Sequence, residues 1–90
     1  MLRILTELDK TILLSFLVFA KGTAKYIPEE FVISKFPIRR RKAVKKYIKK
    51  LEKDKLLARH VTKPSYKLTE EGLKKALKLL QEGAQLWTYR

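Results

Sequence analysis

Apolar residues run from Ile12 to Ala20 with only Ser15 among them. Thr6, followed three residues later by Asp9, forms a capping arrangement ahead of this run, and Gly22 suits the left-handed position that ends a helix. The pattern predicts helix 1 over about residues 7 to 21. Ile12, Leu13, Leu14, Phe16, Leu17, Val18 and Phe19 surround that helix on nearly all sides, so it belongs at the centre of the core. The run is about half the roughly 20 residues of a membrane-spanning helix, so the sequence predicts no membrane partner.

Lys25-Tyr26-Ile27 is long enough only for a strand stub. Pro28 suits the first position of a short helix 2, about 28 to 35, and Glu29 and Glu30 favour its positive end. Phe36-Pro37 breaks the pattern, because proline disfavours helical geometry in the residue before it and itself suits a helix start. Helix 3 is expected over about 38 to 53. Leu56 to Val61 and Tyr66 to Thr69 read as two strands around the turn Thr62-Lys63-Pro64-Ser65. Thr69 then caps a last helix that opens with Glu70-Glu71 and continues through Leu73, Leu77 and Leu80. No repeat, low-complexity linker or change of composition divides the chain, so residues 1–90 are expected to form a single domain.

Charge changes this picture at one place. Residues 35 to 67 carry fourteen Lys or Arg against Glu52 and Asp54, net +12 of a total of +13. The segment from Arg39 to Lys50 has eight cations and no acid, yet its apolar residues keep helical spacing. At about 100° per residue, Val44, Tyr47, Ile48 and Leu51 share one stripe. Arg39, Lys42, Lys46, Lys49 and Lys53 cluster on the opposite side, with Lys45 and Lys50 on the flanks. Solvated lysine-rich faces usually alternate Lys with Glu. A face of cations alone repels itself unless a polyanion or salt screens it.

Helix, short turn, basic helix and hairpin together resemble the winged helix-turn-helix fold. The segment from Val44 to Arg59 is similar to the recognition helix and first wing strand of multiple-antibiotic-resistance-type and arsenic-repressor-type regulators. Tyr66-Lys67-Leu68-Thr69-Glu70-Glu71-Gly72 resembles their second wing strand running into the closing helix. The resemblance covers roughly residues 8 to 80. It implies a mainly α domain with a small β-hairpin in the order α1-β1-α2-α3-β2-wing-β3-α4. It also implies a small prokaryotic or archaeal transcription regulator, not an enzyme, that binds double-stranded DNA without a cofactor. Two departures stand out. Lys55 occupies the bend where such families often carry Gly, which calls for a different or strained exit from helix 3. Phe36-Pro37 replaces the usual Ser or Thr cap of the recognition helix.

On this reading the DNA-binding residues are Arg39, Arg40, Arg41, Lys42, Lys45, Lys46, Lys49, Lys50, Arg59 and Lys63. The N-terminal half of a recognition helix reaches base edges, which makes Arg39, Lys42, Lys45 and Lys46 the candidates there. Lys49, Lys50 and Lys53 fall to phosphates. Arg59, His60, Lys63 and Lys67 lie on the hairpin, and Lys63 at the 62 to 65 turn is the foremost wing contact. Only arginine reads guanine with a rigid fork, and the helix has no Asn or Gln to read adenine, so salt-sensitive phosphate binding is expected ahead of sequence reading. Two other partners fit the same charge: structured RNA or a ribonucleoprotein, and an acidic protein within a nucleic-acid-processing assembly.

The remaining chemistry is sparse. The chain has no cysteine, and its single histidine, His60, has no ligand company for a metal site, so it reads as a wing residue. Glu29-Glu30 and Glu70-Glu71 are explained by the helix dipole without catalysis. Tyr26, Phe31, Phe36, Tyr47 and Tyr66 read as packing. Leu73, Leu77, Leu80, Ala84 and Trp87 follow a heptad-like spacing, and the plainest partner for the first three is helix 1. Leu79, Leu86 and Trp87, left over once the core is filled, predict a homodimer through the C-terminal helix, which would favour a palindromic DNA site. The absence of Asn and the heavy use of Lys lean toward a high-temperature source. Met1-Leu2-Arg3 lacks the basic-then-apolar order of a secretory signal, which makes the cytoplasm the expected compartment.

Overall fold

The computed structural model describes residues 5–23 and 25–82. The elements follow in the order α1 (Glu7–Phe19), β1 (Ile27–Pro28), α2 (Glu29–Ser34), α3 (Ile38–Lys53), β2 (Leu57–Arg59), β3 (Ser65–Leu68) and α4 (Glu70–Gln81). It is a mainly helical, winged-helix-like arrangement with a small antiparallel sheet.

α1 begins as its sequence predicts. The Thr6 hydroxyl accepts the Asp9 N–H at 3.2 Å, and the Asp9 carboxylate accepts the Thr6 N–H at 2.9 Å. Residues 11 to 17 of this helix are all buried, packed against α2, α3, α4 and β3. Its buried hydroxyls bond back to the helix itself, Thr11 donating to the Glu7 carbonyl and Ser15 to that of Thr11, so polar groups sit in the core without loss of partners. No helix among the described residues is long and apolar enough to cross a membrane.

Both long N-terminal helices stop at a lysine. After α1, the Lys21 N–H reaches the Val18 carbonyl and the Gly22 N–H the Leu17 carbonyl, at 3.0 and 2.8 Å. This is the paired bonding of a Schellman stop, and Lys21, with φ 54°, holds the left-handed position expected of Gly22, which follows at φ 79°. After α3, Lys55 bonds to Glu52 and Leu56 to Leu51, both at 3.0 Å, with Lys55 at φ 63°. The anticipated strain at Lys55 is therefore present. A left-handed L-residue costs about 1–2 kcal/mol, and glycine returns part of that through its looser unfolded chain. Lys55→Gly is expected to raise stability by about 0.5–1 kcal/mol. An unchanged or lower midpoint in a urea titration would count against this account of the bend.

Three expectations are corrected. Pro28 is the N-cap of α2 and part of β1, not the first helical residue. The hairpin strands are shorter than read, and β1 joins them to give the sheet order β1-β3-β2. Ile27 stands opposite Tyr66, and Arg59 stands opposite Tyr66 from the other side. Leu79, read as a dimer contact, is 5% exposed and belongs to the core with Ala76, whereas Leu77 and Leu80 on the flank of α4 are 43% and 54% exposed. The cause is phase: Gly72, Ala76 and Leu79 share the buried side of α4, and Leu77 and Leu80 fall off it. Leu86 and Trp87 lie outside the described residues.

The exit of α3 is stitched to the start of α4. Thr69 donates its hydroxyl to the Lys55 carbonyl at 2.6 Å and its N–H to the Leu56 carbonyl at 3.1 Å, while the same hydroxyl accepts the Gly72 N–H at 3.0 Å. This junction fixes where the hairpin leaves α3.

Candidate nucleic-acid interface

Val44, Ile48 and Leu51 anchor α3 in the core, with Tyr47 half-buried beside them. That anchoring leaves Arg39, Lys42, Lys45, Lys46, Lys49 and Lys53 exposed along the opposite side. Among the described residues the ion pairs within 4.0 Å are Lys10–Glu7 on α1 and Lys74–Glu70 on α4, and neither involves a cation of this ridge.

Not every predicted cation stands on it. Arg41 turns back to the end of α2, donating from Nε to the Phe36 carbonyl at 3.1 Å and from Nη2 to that of Ser34 at 3.3 Å. Those carbonyls lack helical partners, and the tight α2–α3 turn brings Arg41 within reach of them. These bonds give Arg41 a structural role, bracing the turn between α2 and α3. Lys50 lies over the Tyr47 ring at 5.1 Å on the flank of the helix. Arg40 is exposed, but two residues before Lys42 it points about 160° away from the ridge.

The hairpin completes the surface. Strand alternation turns Arg59 and Tyr66 toward α3 and turns Ala58 and Lys67 to the other face. On that far face the Lys67 ammonium stands 5.0 Å from the Tyr26 ring, and Tyr26 meets the His60 ring edge-on at 4.8 Å. Between α3 and the hairpin runs an open groove of about 630 Å³, lined by Lys45, Lys49, Lys53 and Arg59 together with Glu29, Glu52, Pro64 and Tyr66. The structure thus brings Arg59 to the C-terminal half of the basic helix.

At the wing tip, His60 organises the turn: its Nδ1 accepts the backbone N–H groups of Thr62 and Lys63 at 3.1 and 3.2 Å. Lys63 is exposed there, next to Val61, which is 90% exposed. Among the described residues no His, Asp and Glu side chains converge as a metal would need.

Two groups of site residues escaped sequence reasoning. Glu29, Glu52 and Tyr66 belong to the groove although they lie on three different elements; only tertiary packing joins them. Burial raises the Tyr66 phenol above its ordinary value, Glu29 and Glu52 add to the rise, and Arg59, hydrogen-bonded to it, opposes them. The folded state therefore holds that proton more tightly than the unfolded chain. Its contribution to stability is full below about pH 10 and is lost as pH climbs through the raised value. Tyr66→Phe is expected to flatten this alkaline decline, read by circular dichroism melts across the range; an equally steep decline would place the titrating group elsewhere. The other missed residue is Ile38, the exposed first residue of α3. Its spacing from Lys42, Lys45 and Lys49 was the available signal.

Compared with known proteins, the chain matches no family model, no curated protein and no solved structure.

Proposed function

We propose that the protein binds double-stranded DNA as a winged-helix regulator, with the exposed side of α3 in the major groove and the 60–64 turn beside it on the backbone or minor groove. The observation that carries this reading is the α3 ridge: six cations on one exposed side, with no ion pair to them among the described residues. A folded helix concentrates charge at a density that repels itself, and a polyanion relieves that repulsion while its own counterions are released. The groove supports the same reading, since Arg59 faces Lys45, Lys49 and Lys53 across it and the wing tip holds Lys63 exposed.

Lysine dominates the ridge, so affinity is carried chiefly by phosphates, and sequence preference must come from fewer contacts. The test is a fluorescence-anisotropy titration of duplex DNA and of a structured RNA hairpin at two salt concentrations. The proposal requires tight duplex binding that weakens steeply with salt. Equal or tighter binding of the hairpin would move the function to RNA, where a lysine ridge follows the A-form backbone, and weak binding of both at physiological salt would point to an acidic protein partner.

A further inference from the structure

We propose, on the premise that α3 enters the DNA major groove, that Ile38 reads the C5-methyl group of thymine and gives the protein a preference for adenine–thymine steps. Ile38 is the first residue of α3 and is 79% exposed, although it is large and apolar. Single exposed apolar residues are ordinary on protein surfaces. The placement of this one is not. Counting 3.6 residues per turn, it falls in line with Lys42, Lys45 and Lys49 on the ridge, at the N-terminal end that such helices present to base edges.

The chemistry of the major groove leaves one apolar feature for such a side chain to meet, the thymine methyl. Every other edge there is a donor or an acceptor, which isoleucine cannot satisfy. The ridge lysines are mobile point charges that contact any sequence alike, and α3 carries no Asn or Gln to form a paired bond with adenine. Isoleucine, by contrast, is branched at Cβ and stiff, so it presents its methyl groups at little entropic cost. The lysines bring the helix to the backbone, and Ile38 adds a term that differs between base pairs, separate from any guanine contact of Arg39. Val61 does not duplicate this role, because it lies on the wing and the minor groove displays no methyl.

The experiment measures binding of the full chain to an alternating adenine–thymine duplex and to the same duplex synthesised with deoxyuridine, which removes only the C5-methyl. Wild type is expected to bind the thymine duplex about fourfold more tightly, the weight of one buried methyl. Ile38→Ala should bind both duplexes alike. Lys42→Ala should weaken both by the same factor and keep the ratio, because its contact is to charge. Circular dichroism melts establish that the Ile38→Ala chain is folded. Equal binding of the two duplexes by wild type, or a ratio that survives in Ile38→Ala, overturns the proposal while leaving DNA binding intact. Failure to bind either duplex overturns the DNA reading and this inference together.

Discussion

Gly72→Ala is expected to be the most damaging single substitution in this chain. A Cβ built on Gly72 overlaps the Leu56 carbonyl oxygen and comes within 2.9 Å of the carbonyl carbon. Neither atom can give way. The Leu56 carbonyl accepts the Thr69 N–H, and Lys55 beside it accepts the Thr69 hydroxyl, so moving this backbone undoes the cap of α4 and the stop of α3 together. In an unconstrained helix the same change would gain about 1 kcal/mol, because alanine is the better helix former. Here overpacking against fixed backbone is expected to cost about 3 kcal/mol or more, a large share of the stability of a domain this small. The thermal midpoint should fall by about 10–20 °C. A melt showing an unchanged or higher midpoint would mean that α4 does not approach Leu56 as closely as described.

Alanine at Lys42, Lys46 and Lys49 together is expected to have the largest effect on function. These side chains are exposed, so the fold should survive. Each lysine that neutralises a phosphate contributes about 0.9 to the slope of log affinity against log salt, so the triple variant should lose between about 0.9, for Lys49 alone, and about 2.7, for all three. Affinity for duplex DNA at low salt should drop on the order of 100-fold. The control is alanine at Lys74, Lys75 and Lys78, which removes the same charge from α4, away from the ridge. If net charge alone draws the protein to DNA, the two variants will bind equally. Only a defect confined to the α3 variant places the interface on that helix.

Much of the fold was legible because its signals are local. Thr6 and Asp9 cap α1 through a spacing of three, Thr69 caps α4 in the same manner, and Pro37 stands at the start of α3. The stripe of Val44, Ile48 and Leu51 gave the buried side of α3, and with it the exposed cations, because helix period alone links the two. Errors arose where several chain segments compete for one position. Leu79 and Leu80 are adjacent in sequence, and only the docking angle of α4 on α1 decides which of them is core. Arg41 sits in a run of three arginines, and the Ser34 and Phe36 carbonyls that accept from it distinguish it from its neighbours.

By itself the sequence determined the order and type of the elements, the apolar centre in α1 and the placement of nearly all the charge on one helix and the hairpin after it. Caps, proline stops and hydrophobic period act within a few residues and need no knowledge of the rest of the chain. The tertiary structure alone decided that β1 pairs with β3, that Arg59 and Tyr66 face α3 across a groove containing Glu29 and Glu52, and that α4 can close only over a glycine at position 72. Those features are contacts between residues far apart in the chain, fixed by the angle at which one element packs on another, and no local pattern encodes that angle.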